Sequence, residues 1–383
     1  MELHGKVTAG LLSALAVKLN KVIDRGSIMT TLDNIGSVLD NMSLDSLTDG
    51  ATVDYSDASA QTGDITLINL PTGETDPRLK LLSHSSRTTL HKCPRKYQLY
   101  RLSSDKILMA DEKEMEQGVT FAYGSAVGVG VQSVMEEKTE ARVILDTFLE
   151  WDVDLLDENP RQKKSFWLAL FAVQKFMKLR ENGFLSEYEL VYYQGKPAVE
   201  LSFQILLPNG YIYRGFVDAV LKHKTTGEIR VLENKTSSGT ANSAMFKNSG
   251  QALGYSVVLD ILFPEMSSYS VLYLVYETKS YEYKELPFDK SLLQRALWLQ
   301  ELLIDTQLID LYESFDTYPM HGESCYDFFR DCEYLGICTM DIANIAKPLT
   351  QGILDKIEVD AGKYDFTVDF YDLVQAQVEK GGE

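Results

Sequence analysis

Cysteine is scarce in this sequence. There are four in 383 residues, and three of them crowd into "CYDFFRDCEYLGIC", residues 325 to 338. So few thiols exclude a disulfide framework and suit a reducing compartment, expected here to be the cytoplasm, where cysteines serve as ligands or free thiols. Long apolar runs are also missing. No eighteen consecutive apolar residues occur, so no transmembrane helix is predicted. The opening "MELHGKVTAGLLSALAVKLNKV" places Glu2 where a secretory signal carries basic residues, which argues against one. No G-x-x-x-x-G-K-[ST] pattern is present, so no nucleotide-driven motor is legible. Positive charge is in short supply. Lys and Arg number 37 against 56 Asp and Glu, a net charge of -19. That excludes a surface broadly coated in basic groups.

Positive charge is nevertheless concentrated in one place. Arg78, Lys80, Arg87, Lys92, Arg95, Lys96 and Arg101 fall in a segment with no acid between Asp76 and Asp105. Such a segment in an acidic chain suits a confined anionic ligand; a solvated helix face is the bland alternative. Residues 1–80 are poor in aromatics and rich in Asp, Ser, Thr and Gly from 31 to 76, and read as a weakly ordered leader with one short helix. A compact domain is expected over 81–345, opening at "LLSHSSRTTLHKCPRKYQLYRL", where Ser83 to Ser86 cap a basic helix. Helical patterns follow at about 125–150 and 161–183. The period then falls to two in "AVELSFQILL", "YIYRGFVDAVLKHK" and "EIRVLENKTS", three strands joined by turns. A helix is predicted over 242–262, then strands "SYSVLYLVYETK" and "SYEYKELPF", then a helix over 289–314. The fold class is therefore α/β. Residues 346–383 read as an acidic tail, since the last thirty hold eight acids against three lysines.

The candidate chemistry lies in the middle strands. Asp218 falls on one, and Glu233 and Lys235, two apart in "VLENKTS", share one face of another. If the strands are neighbours, the two carboxylates converge on a hard divalent cation, Mg²⁺ or Mn²⁺, with the Asn234 carbonyl as a further ligand. Lys235 then stands beside the metal-bound water and the charge that develops in phosphodiester hydrolysis. Solvated or paired side chains are the ordinary alternative. Two features weigh against it. The acid and lysine directly follow an apolar run, and the next helix carries Gln251 and Tyr255 on one face.

"GFVD" (215–218), "ENK" (233–235) and "QALGY" (251–255) together resemble three motifs of the PD-(D/E)xK nucleases, in particular the RecB-like exonucleases. "LSHSSRTTLHKCPRKYQLYRL" (82–102) resembles the opening of their iron–sulphur members, and "CYDFFRDCEYLGIC" their closing cysteine trio. The resemblance implies a restriction-endonuclease-like (RecB-like) core, a mixed central sheet flanked by helices, and a metal-dependent DNA nuclease with Asp218, Glu233, Lys235, Gln251 and Tyr255 at its active site. It also implies a four-iron, four-sulphur cluster held by Cys93, Cys325, Cys332 and Cys338, stapling the helical edge of the domain. Zinc satisfies four cysteines equally well on sequence grounds. The C-x6-C-x5-C spacing departs from the C-x2-C-x5-C of many members, which leaves Cys325 the least secure ligand. Many members also carry a histidine ligand on an early helix. Here "YGSAVGVGVQ" puts Gly128 at that position, with Gln132 one turn on. Val217 replaces the motif proline, and Glu200, on the preceding strand, is an extra acid or an exposed strand residue.

Arg87, Lys92, Arg95 and Lys96 are candidates for phosphate contacts. Tyr97 and Tyr100 are base-stacking or core residues. The expected activity is exonucleolytic hydrolysis of single-stranded or free-ended DNA in recombination, repair or degradation, with a helicase or recombination protein as partner. Standalone members of this shape are frequent in bacteriophages, which would place the protein in the host cytoplasm. The alternatives are a non-catalytic DNA-end-binding or protein-interaction module on the same fold, and an acidic mimic of DNA.

Overall fold

Alternating burial along the strands builds two cores, one on each face of a single sheet. The structure, a computed structural model, describes residues 75–102, 119–151, 164–264, 266, 269–327, 330–345 and 364–381. All of them belong to one unit, Ile68–Glu383. The expected leader lies outside the described residues as far as 74, as does the segment 346–363.

Strand β1 (Leu81–Ser83) leads into helices α1 (His84–Lys92) and α2 (Pro94–Leu102). Ser83 caps α1 as expected: its N–H donates to Ser86 Oγ (2.8 Å), and its hydroxyl accepts from Ser86 N–H. Pro94 cannot continue a helix, so the chain breaks at Cys93. Helices α3 (Val119–Met135), α4 (Glu140–Glu150) and α5 (Phe166–Glu181) follow. After them come β2 (Tyr188–Leu190) and a two-stranded ribbon of β3 (Tyr192–Tyr193) and β4 (Lys196–Pro197).

The sheet proper is β5 (Val199–Leu206), β6 (Ile212–His223), β7 (Ile229–Ser237), β8 (Tyr269–Glu277) and β9 (Glu282–Asp289). These pair in sequence order, antiparallel except for the parallel β7–β8 pair. Strand β1 adds parallel and β2 antiparallel to β6. The sheet is mixed and flanked by helices on both faces. In β8, Tyr269, Val271, Tyr273 and Val275 enter one core, while Leu272, Leu274 and Tyr276 enter the other. The first core is closed by α7 (Gly250–Leu262) and α8 (Leu292–Ser314), the second by α3 and α5.

Two expectations are corrected. The helix predicted over 242–262 is split into α6 (Ser243–Lys247) and α7. The buried Lys290 Nζ donates to the carbonyls of Phe246 and Lys247, satisfying the end of α6, and Ser249 opens α7. The stretch read as an acidic tail also folds in part. After β10 (Tyr326–Asp327), β11 (Arg330–Asp331) and a short α9 (Ile342–Ile345), β12 (Phe366–Asp369) pairs parallel to β5, and α10 (Phe370–Gly381) packs on α7 and α8. Phe366, Val368, Phe370 and Leu373 are buried, while Asp369, Asp372 and Glu379 face outward. Asp369, Asp372 and Glu379, three of the acids that suggested a tail, form the wet side of an amphipathic strand and helix. Among the described residues no helix is long and apolar enough to cross a membrane.

Candidate active site

The register of β6 and β7 brings the two candidate carboxylates side by side. Ala219 pairs with Leu232 and Val220 with Val231, so one further step sets Asp218 opposite Glu233. The Asn234 N–H donates to Asp218 Oδ2 (2.9 Å). Lys235 Nζ stands 2.6 Å from Glu233 Oε1 and donates to Gln251 Oε1 (3.0 Å). Gln251 Nε2 in turn donates to the Tyr255 hydroxyl (2.6 Å). The structure thus joins Glu233, Lys235, Gln251 and Tyr255 into one chain of contacts, with Asp218 beside it. Gln251 holds the lysine from one side, and Tyr255, buried among the core residues, anchors Gln251 from behind.

Glu233 is 1% exposed, and no donor meets its Oε2 in good hydrogen-bond geometry, although the Tyr255 hydroxyl stands near enough to hold its carboxyl down against burial. Buried acceptors without donors are costly unless a cation serves them. Burial and the adjacent Glu233 push the Asp218 carboxyl up, to about 8. Burial likewise raises Glu233, partly offset by Lys235. Burial alone pulls the Lys235 ammonium down, but Glu233 and Asp218 outweigh it and raise it. Two hard carboxylate donors and a lysine fit Mg²⁺ or Mn²⁺. Among the described residues, no group of three or more His, Cys, Asp or Glu side chains is placed to hold a metal ion.

These groups line an open cleft of about 1230 Å³. It also takes in residues not singled out in the sequence. His84, at the start of α1, is driven down to about 4 by burial, Lys235 and Arg87, so it stays neutral at pH 7. Arg214 lies on β6, and its Nη1 donates to the Tyr364 hydroxyl (2.9 Å). Phe121 and Phe216 line the cleft at 65% and 52% exposure. Phe216 sits inside "GFVD", where an exposed aromatic is the available signal. Gly128 faces the cleft, and a Cβ there would meet nothing within 4 Å. Gln132 donates to Glu200.

Of the four basic residues expected to meet phosphate, Arg87 is the one the fold takes out of reach. Arg87 is buried, pairs with Asp305 and lies 5.3 Å from the Trp298 ring, so its charge is spent inside the domain and not on a phosphate. Arg95 donates to the carbonyls of Cys338 (3.0 Å) and Met340 and to Gln98. Lys96 pairs with Glu333 (3.2 Å), and Lys92 is exposed. Tyr97 is fully buried, with its hydroxyl donating to Leu79 O (2.5 Å), and belongs to the core; Tyr100 is 55% exposed.

Cys93, Cys325, Cys332 and Cys338 are all free thiols. The residues around Cys93 are tied to the later run: Ser324 Oγ donates to Lys92 O (2.8 Å) and Arg95 N–H to Pro319 O (3.1 Å); within that run Cys332 N–H donates to Cys325 O (2.8 Å). Burial raises the Cys338 thiol; Arg95 opposes this, and Cys93, Cys325 and Cys332 add to it.

The model of the PD-(D/E)XK nuclease superfamily matches residues 81–339. The chain belongs to that superfamily. The match begins at β1 and runs past Cys338, so it spans the cleft and all four cysteines. Members are nucleases that typically use Mg²⁺ or Mn²⁺. No curated protein matches the chain. Among solved structures, one titled "Crystal structure of SSO0001" is similar at 14% identity and a TM-score of 0.27, over 67% of this chain and 97% of that one. A likeness that low carries no argument.

Proposed function

We propose that this superfamily member is a metal-dependent DNA nuclease acting on single-stranded or free-ended DNA, most simply as an exonuclease. The observation that carries the reading is the meeting of Asp218, Glu233 and Lys235 in one open cleft, with a buried Glu233 oxygen that no donor meets in good geometry. Asp218 and Glu233 would hold the cation, together with the main chain at Asn234. When bound, Mg²⁺ or Mn²⁺ supplies Lewis acidity and an activated water. Lys235, fixed by Gln251, holds a positive charge where negative charge develops on the phosphate. Tyr255 keeps Gln251 from turning away. Arg214 is the cleft cation placed to meet a neighbouring phosphate, and Phe121 and Phe216 offer faces for unpaired bases.

The four cysteines are proposed to hold a four-iron, four-sulphur cluster that clips the α1–α2 junction to the run 319–340. Four free thiols on segments already linked by main-chain hydrogen bonds suit such a group. Zinc is the competing occupant.

Degradation of end-labelled single-stranded DNA by anaerobically purified protein with Mg²⁺ or Mn²⁺ tests the reading, beside Lys235→Ala. We expect metal-dependent shortening from an end, with the variant slowed about 10²–10³-fold in kcat. Protein that binds DNA but never cuts it would favour a non-catalytic DNA-end-binding module.

A further inference from the structure

Helix α8 is apolar on two sides. Trp298, Leu299, Leu302 and Ile309 face the domain and are buried. On the outer side Leu293, Leu297, Ile304, Leu311 and the C-cap residue Phe315 are exposed, at 68%, 46%, 51%, 50% and 42%. A surface helix ordinarily keeps one apolar stripe for the core and turns polar groups to water. Single exposed leucines are common, but these five are not scattered. At about 100° per residue they fall within an arc of about 40°, a narrow seam about 33 Å long.

The seam is also symmetric. Ile304 is its midpoint, Leu297 and Leu311 lie seven residues to either side, and Leu293 and Phe315 lie eleven. A seam that reads the same from both ends is complementary to itself, provided that a second copy is turned about a two-fold axis through Ile304. Antiparallel pairing then sets Ile304 against its own counterpart, Leu297 against Leu311, and Leu293 against Phe315. The polar neighbours agree with this direction. Glu301, three residues before the midpoint, falls opposite Gln307, three residues after it, and both are exposed. Parallel pairing would instead oppose Glu301 to Glu301, which like charge disfavours, and would align the two helix dipoles.

We propose that the outer face of α8 is a homodimer interface. Two copies of the chain pack α8 against α8, antiparallel, about a two-fold axis at Ile304. Such a contact uses the same patch on both copies, so it closes at two. One helix from each copy makes a small interface, so the dimer exchanges with monomer on dilution. Behind the seam α8 packs on α7, which carries Gln251 and Tyr255, so the dimer holds two clefts related by the same axis. The inference goes beyond the nuclease reading and does not depend on it.

Sedimentation velocity of the 383-residue chain over a range of concentrations tests it, in moderate salt that screens the repulsion between two acidic copies. We expect a species of twice the 43.2 kDa of the chain. Ile304→Glu places two carboxylates on the axis and should weaken the dimer at least about tenfold. Circular dichroism reports that this variant is folded, as the exposure of Ile304 predicts. A second arm stands even if that variant misfolds. A short bis-maleimide that bridges about 8–10 Å, the separation of packed helix axes, is added to cysteine variants, and the joined peptides are identified by mass. Ile304→Cys should link to itself. Leu297→Cys should link to Leu311→Cys in a mixture but not to itself, because antiparallel helices hold the two 297 positions about 20 Å apart. A wild type that stays monomeric at every concentration overturns the proposal. So does a dimer that Ile304→Glu, once folded, leaves intact, or a Leu297→Cys variant that links to itself.

Discussion

At the scale of single residues, charge in this protein is spent in two ways. Some charges are held for a ligand and others are consumed by the fold. The Arg87–Asp305–His91 group belongs to the second kind. His91 Nε2 lies 2.9 Å from the buried Asp305, and that hydrogen bond raises the imidazole above its usual range, against a smaller opposing effect of burial. The folded state therefore binds this proton more tightly than the unfolded chain does. Its stabilisation is full below about pH 6.5 and is lost as pH rises through the higher folded value. Urea unfolding should show wild type more stable than His91→Gln at pH 5.5, with the gap closing by pH 8. The exposed aromatics of the cleft carry no charge, and the proposed nuclease would use them as faces for bases. Phe121 and Phe216 have no reason from packing to be aromatic. Replacing either by Ala should weaken single-stranded DNA binding by about 1–3 kcal/mol per base unstacked, with little effect on duplex binding or on thermal unfolding. Fluorescence anisotropy with labelled oligonucleotides reads the difference.

At the scale of elements, the telling feature is how the chain's C-terminal strand and helix are held. Asp260 on α7 is buried and accepts from Arg295 on α8 and from Gln377 and Lys380 on α10. Lys380 also donates to Met266 O (2.8 Å). One carboxylate thus fastens three helices, and β12 extends the sheet beside β5, the strand that carries Glu200. Asp260→Ala would leave Arg295 and Lys380 as uncompensated charges. It should destabilise the fold by about 3–5 kcal/mol in denaturant titration, and α10 should lose amide protection first. The amphipathic pattern of 366–381 was present in the sequence, but the acid count obscured it. Phe366, Val368, Phe370 and Leu373 carry the signal, and their spacing changes from two to three as strand turns into helix.

At the scale of the whole molecule, an acidic chain bearing 19 net negative charges must gather its cations where DNA phosphates are to approach. The cluster expected for that task, residues 78–101, also ties α1 and α2 to the cysteine-bearing run through Arg95, Lys96 and main-chain contacts. That gives the basic segment a structural part in a clip joining residues over two hundred positions apart. Closing so long a loop removes much unfolded-state freedom. A metal group at the four cysteines should therefore add greatly to stability. Anaerobically purified protein should carry iron and labile sulphide with visible absorption, while Cys338→Ser should lose both and unfold at a lower temperature. Zinc with no iron would assign the clip to zinc.

Sequence by itself determined the five strands β5 to β9, the order of the motifs and the pairing of Glu233 with Lys235, because alternation of period two and a two-residue step are local properties of a backbone. It also pointed to Asp218, Gln251 and Tyr255, since each lies in a short motif within one element. The sequence could not decide which basic residues remain available. Arg87 and Arg214 look alike in one dimension, and burial against Asp305 separates them in three. Nor could it decide between the two readings it offered for Glu200, an extra acid or an exposed strand residue. That residue's direction depends on a change of phase in two paired strands, and only their register against the two cores sets it. Local periodicity is written along the chain, but exposure and the meeting of charges depend on what the fold packs against each residue.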